Sequence, residues 1–148
     1  MSVVITEDDF DVAVEHEKLK AASVGAIVTS TGTVRDLGGG ETISSMTLEH
    51  YPGMTESEID TIIEKARKRW RLDGVTVIHR IGQLRPLDNI VFVGCASAHR
   101  RAAFDAADFI MDFLKTSAPF WKKEDRKSGT AWVDARETDY VALRRWDE

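Results

Sequence analysis

Apolar positions in this chain switch between two spacings, and the switches mark its elements. Ile59, Ile62, Ile63, Ala66 and Trp70 recur at helical steps, which predicts a helix over about 55–71. Thr55, with Glu58 three residues on, has a capping-box pattern at its start. A second helix is predicted over about 99–117, with Ala103, Ala106, Ile110, Phe113 and Leu114 inward; Pro119 ends it. A weaker pattern, with Thr6 as cap and Phe10 and Val14 apolar, predicts a first helix over 6–20. Tyr140, Leu143 and Trp146 mark a short one over 138–146.

Strands are expected where β-branched residues concentrate or apolar and polar residues alternate. These are 24–34, 43–50 with Met46 and Leu48 on one face, 75–81, and the nearly continuous apolar run 90–96, which reads as buried. Residues 120–124 and 130–135 are expected to pair around a Lys-Ser-Gly turn. The segment from Arg35 to Ile43, with glycines at 38–40, reads as a flexible loop, and that from Gly82 to Asn89 as a turn. The order α-β-β-α-β-β-α-β-β-α predicts an α+β layered fold in one domain spanning 1–148.

Composition narrows the function. The chain has 148 residues, 43% of them hydrophobic and 30% charged, which is ordinary for a globular protein. No apolar run is long enough to span a membrane, and the acidic start lacks the form of a signal peptide. The single cysteine, Cys95, excludes an internal disulfide and fits a reducing, cytoplasmic setting. A net charge of −5 disfavours broad binding to nucleic acid or anionic membranes, so local clusters of positive charge become informative.

Several chemistries lack their residues. The glycines at 38–40 are not followed by Lys-Ser/Thr, and no Gly-x-Ser-x-Gly elbow exists. His16, His50, His79 and His99 show no metal-ligand spacing with one another or with Cys95. Cys95 itself lies inside an apolar strand and reads as a packed thiol.

Two cationic clusters remain. His99, Arg100 and Arg101 open a helix, where cations oppose the helix dipole and an anion would relieve them. The same arginines could instead simply face water. Lys115, Phe120, Trp121, Lys122 and Lys123 place aromatic surface beside cations, a combination suited to a flat anionic heterocycle. A lysine in such surroundings can act as a general base. Arg35 could add a further contact.

Five blocks carry a family resemblance: Thr47–Thr55, Val75–Gly82, Ile90–Gly94, Ser97–Arg100, and Phe109–Thr116 followed by Ala118–Lys122. In order and spacing they resemble the large, catalytic subunit of molybdopterin synthase. The resemblance implies an α/β hammerhead fold with an additional antiparallel sheet. It implies conversion of a cyclic pyranopterin monophosphate, precursor Z, into the dithiolene molybdopterin. Sulfur would come from a thiocarboxylate on the C-terminal glycine of a small ubiquitin-like subunit. Two large subunits would form a dimer with one small subunit at each end, a heterotetramer. No resident cofactor or metal is implied. A non-catalytic anion- or nucleotide-binding scaffold is the alternative that the cationic clusters alone allow.

Residue by residue, the resemblance implies that Lys115 and Lys122 are catalytic, the first near the partner's C-terminal glycine and the second near the pterin. His99 and Arg100 would hold the anionic end of the substrate, partly across the dimer. Thr33, Val34 and Arg35 would edge the same pocket, Lys123 and Glu124 would extend the Lys122 contact, Met111 and Phe120 would line it, and Arg136 would add an anion contact. The loop after Arg35 departs from the family pattern in reading Asp-Leu-Gly-Gly-Gly.

Overall fold

The computed structural model describes residues 2–38, 41–126, 129–133 and 137–147. Its elements run β1 (Ser2–Thr6), α1 (Val12–Glu17), β2 (Ala26–Thr33), β3 (Leu37–Gly38), β4 (Glu41–His50), α2 (Met54–Arg69), β5 (Gly74–Arg80), β6 (Gly82–Leu84), β7 (Asn89–Ser97), α3 (Arg100–Thr116), β8 (Phe120–Arg126), β9 (Gly129–Val133) and α4 (Glu137–Arg144). They form a mixed α/β fold with two sheets. One has the strand order β1-β5-β7-β2, with β1 parallel to β5 and the other pairs antiparallel. The other runs β3-β4-β8-β9, with β6 also paired to β4.

Alternation along the central strands decides what covers each face of the first sheet. Val75 and Val77 of β5 and Val91, Val93 and Cys95 of β7 meet Ile59, Ile62, Ile63 and Ala66 of α2 and Ala106, Phe109, Ile110 and Leu114 of α3. Each large aliphatic side chain fully buried there contributes about 1.5–3 kcal/mol. On the opposite face, Phe10 meets Phe92 edge to face at 5.9 Å between ring centres. Leu19 packs there against Gly94, where any side chain would collide with it. Residues 10–19 thus seal the second face.

The structure corrects the expected boundaries. Residues 2–6 are a strand, and Thr6 ends it rather than capping a helix. Asp11 is the cap of α1, its Oδ1 accepting from the amides of Ala13 and Val14. α2 starts at Gly53, whose φ of +83° suits glycine. The Glu56 carboxylate accepts from the Gly53 amide, so Glu56 takes the place expected of Glu58, and Thr55 is buried inside the first turn. The expected loop after Arg35 begins as a hairpin, with Leu37 and Gly38 paired to Thr42 and Glu41. The segment read as one turn from Gly82 contains β6. α3, β7, and the β8–β9 pairing fall close to where the pattern puts them.

Gly25 lies where β2 enters beside the start of α3: its amide donates to the Ser97 carbonyl, and a Cβ there would overlap the Ala98 carbonyl. Gly25→Ala is expected to cost about 1–3 kcal/mol, the range for overpacking against backbone. A urea titration would show it as a lower midpoint at unchanged slope; an unshifted midpoint would contradict this close approach.

Candidate functional site

Because β7 runs antiparallel to both β5 and β2, the end of β5, the start of β7 and the end of β2 share one edge of the sheet. His79 pairs there with Val91, and Thr33 with Asn89. α3 leaves β7 at the far edge and packs back along it, so its last turn, with Lys115, returns to the edge of His79.

His79 continues the Val75, Val77 stripe onto the helix-covered face and is buried. Its Nδ1 is 2.8 Å from the Arg80 carbonyl oxygen. A carbonyl only accepts, so Nδ1 donates, and in the neutral ring Nε2 carries the lone pair. Burial lowers its pKa from 6.5 to about 4; the Arg80 carbonyl opposes this, and the positive charges of Lys115 and His50 reinforce it. The imidazole lies flat on Phe120, ring centres 3.8 Å apart and planes inclined by 16°.

Phe120 starts β8 directly after a pinned turn. The amides of Ser117 and Ala118 both donate to the Phe113 carbonyl, at 2.8 and 3.1 Å. The fully buried Thr55 hydroxyl donates to the Pro119 carbonyl at 3.3 Å and accepts from the Tyr51 amide. Along β8, Phe120 and Lys122 share one face, in register with His50 and Leu48 of β4. Lys122 thus stands about 7 Å of strand from Phe120. Lys123 points to the other face with Trp121, because neighbouring strand residues alternate. That separates it from Lys122, whose contact it was expected to extend.

The strand end also reaches this face. Val34 is buried with Met46, Leu48 and Leu84, and Leu48 is the register partner of Lys122. Its amide donates to the Asp88 carbonyl and its own carbonyl accepts from Leu87. A bulge between Gly32 and Thr33 re-aims the chain here, leaving Thr33 and Arg35 exposed. Met111 is half-buried one helical turn before Lys115. Lys115 is exposed and makes no ion pair among the described residues.

His99 and Arg100 do not join this group within one chain. They are exposed at the start of α3, fifteen residues before Lys115, which is about 22 Å along a helix. His99 caps α3 without a side-chain hydrogen bond, and its first turn holds no acid. An open cleft of about 440 Å³, lined by His16, Lys20 and residues 24–27, lies at this far end and contains none of the expected site residues. The Glu124 side chain and Arg136 lie outside the described residues. Cys95 is fully buried, and burial pushes its thiol up to about 12, so it is no nucleophile.

The residue that pattern reading missed is His79. Its signal was present: it is the third member of a Val-x-Val-x-His stripe, which sets a polar ring on a core face at a strand end.

Comparison with known proteins places the chain in clear company. The profile of the family described as "MoaE protein" matches residues 5–117. The molybdopterin synthase catalytic subunit of Escherichia coli (strain K12) is 52% identical over 145 residues, 97% of either chain. Among solved structures, the molybdopterin biosynthesis MoaE protein from Burkholderia ambifaria MC40-6 superimposes with a TM-score of 0.85 at 46% identity, covering 99% of this chain and 98% of that one. Molybdopterin synthase from Staphylococcus aureus gives 0.81 at 28% identity, over 88% and 94%.

The buried imidazole makes stability depend on pH. Between pH 6.5 and about 4 the unfolded chain protonates His79 and the folded chain does not. The unfolded state then binds more protons, so stability falls as pH drops through that window. At about 1.4 kcal/mol per pH unit the full loss is roughly 3 kcal/mol. His79→Phe cannot protonate and is expected to flatten this fall; equal pH slopes of the urea midpoints for variant and parent would refute it.

Proposed function

The chain belongs to the MoaE protein family, and from that membership we propose that it is the catalytic subunit of a molybdopterin synthase. In this reading it converts precursor Z to molybdopterin, taking sulfur from the thiocarboxylated C-terminal glycine of a small ubiquitin-like subunit. The observation that carries the reading is the near full-length identity with named catalytic subunits. The scaffold alternative has no observation in its favour.

The chain's own chemistry fits the task. With sulfur delivered by a partner's tail, the inert Cys95 is no obstacle, because the subunit has to position the donor and move protons rather than carry sulfur. Lys115, exposed at the end of α3, is assigned to the partner's terminal glycine and to acid/base or covalent chemistry there. Lys122, beyond Phe120 on the same strand face, is assigned to the pterin. Phe120 and Met111 offer the ring system an apolar wall, and Thr33, Val34 and Arg35 edge the pocket. Arg136 and Glu124 keep their family roles as further contacts in this proposal. No resident metal or cofactor is assigned.

His99 and Arg100 are assigned to the substrate's phosphate. Their place about 22 Å along α3 from Lys115 supports the reading that a second copy of the chain supplies them. The assembly is therefore a homodimer of this subunit within a heterotetramer. The whole of 1–148 is taken as one large-subunit domain. Among the described residues no helix is long and apolar enough to cross a membrane, and a single buried thiol suits the cytoplasm.

Lys115→Ala, reconstituted with thiocarboxylated small subunit and precursor Z, is expected to lose at least about 10²-fold in dithiolene product by mass spectrometry. Its elution as a heterotetramer should not change. Normal turnover would remove Lys115 from the chemistry. Arg100→Ala is expected to raise KM for precursor Z by about tenfold, the loss of one charge-assisted hydrogen bond; an unchanged KM and kcat would take it out of the phosphate site.

A further inference from the structure

We propose that His79 is a positioning residue for the two lysines: its neutral ring is the plate on which Phe120 rests, and this stack fixes the joint through which Lys115 and Lys122 are held relative to each other. The inference rests on the functional reading above and adds to it a residue that touches neither substrate nor partner tail in that reading.

The joint is short and its ends differ in kind. Lys115 hangs from the last turn of α3, and Lys122 from the second pleat of β8. Between them the chain changes from helix to strand within residues 117–119. Hydrogen bonds hold the turn: the Ser117 and Ala118 amides donate to the Phe113 carbonyl, the Phe120 amide to the Ala118 carbonyl, and the Thr55 hydroxyl to the Pro119 carbonyl. From Phe120 onward β8 is also held by its ladder to β4, in which Phe120 pairs with His50 and Lys122 with Leu48. The Phe120 ring, the first side chain of the strand, ties this joint to β5 by lying face to face on His79 at 3.8 Å.

The plate is itself held in orientation. His79 is on a central strand, paired in register with Val91 on one side and Ile5 on the other. Its Nδ1–H donates to the next residue's carbonyl at 2.8 Å, which sets the rotation of the ring about its own axis. Burial keeps it uncharged, so no further positive charge forms beside Lys115. The task needs a flat, buried, uncharged ring; it does not need a proton donor toward substrate.

The assembled enzyme tests this with three variants. His79→Ala removes the plate and is expected to lower kcat by tenfold or more, with KM for precursor Z within about threefold, since a misplacement of about 1 Å costs rate rather than binding. His79→Gln, similar in volume but without a ring, should behave like Ala and stands in for it should Ala fail to fold. His79→Phe restores the plate and is expected to bring kcat back within about threefold of the parent. Rescue by Gln but not by Phe would overturn the proposal in favour of a hydrogen-bonding role. Parent-like kcat in folded Ala or Gln would overturn it outright. Hydrogen exchange of residues 117–122 reads the same joint without turnover. It should speed up about tenfold in Ala or Gln and return to the parent rate in Phe, and unchanged protection would also overturn the proposal. Absence of product from the parent enzyme would instead overturn the functional reading, while the exchange rates would still decide the role of His79.

Discussion

The rigid length of α3 governs how this molecule can work. Its inward stripe, Ala103, Ala106, Phe109, Ile110 and Leu114, is buried against β7 and α2. That burial fixes the helix along the sheet, one end over each edge. A helix neither shortens nor folds back, so the cations at its two ends stay about 22 Å apart. A substrate that needs both must meet them from two different chains. The shared site proposed above is thus compatible with one packed helix, before any interface is considered. In the proposed reading, a chain of net charge −5 confines the positive charge it uses to two short segments that an assembly can face toward each other.

What the sequence made legible divides along physical lines. β7 and α3 were readable because their burial is strong and one-sided or complete, and such burial writes a period into the residues. The β8–β9 pairing was readable from its turn. β1 was not, because Val3, Val4 and Ile5 form too short a run to signal a strand, and their parallel pairing to β5 is decided by tertiary contact. The starts of α1 and α2 were misplaced by competing caps. Thr6 and Asp11 both suit a cap, and only strand pairing at Thr6 settles which is used. Gly53 carries no side chain to announce itself. β3 and β6, of two and three residues, exist through β4 alone.

The site divides the same way. Lys115, Phe120 and Lys122 could be grouped by proximity in the chain, and strand alternation then separates Lys123 from them. The contribution of Val34 depends on Met46, Leu48 and Leu84, which come from two other strands and leave no local trace at 34. His79 is further still: its partner in the stack is 41 residues away, and nothing near it in sequence points to an aromatic ring.

The last turn of α3 is braced from a second side, and this bears on where binding energy goes. Asp112, buried one turn before Lys115, accepts from Arg145 at 2.8 Å and from the Trp146 indole at 2.6 Å. The Asp112 carboxylate in turn raises the pKa of Arg145, which secures its charge. Trp146 meets Trp70 and Phe109 edge to face, and the Arg69 guanidinium lies over all three rings. Thr116 closes the turn onto the Asp112 carbonyl at 2.7 Å. Arg145 and Trp146, which follow α4, therefore grip α3 one turn before Lys115, while His79 and Thr55 hold the joint just beyond it. The backbone that carries Lys115 is thus held before any ligand arrives. Docking an extended tail there has to order the tail and the lysine side chain, and no ordering cost of the helix beneath them subtracts from affinity. For the role proposed for Lys115, near-attack geometry demands a pre-set mount, and in this fold that mount is supplied by packing on both sides of residues 112–120.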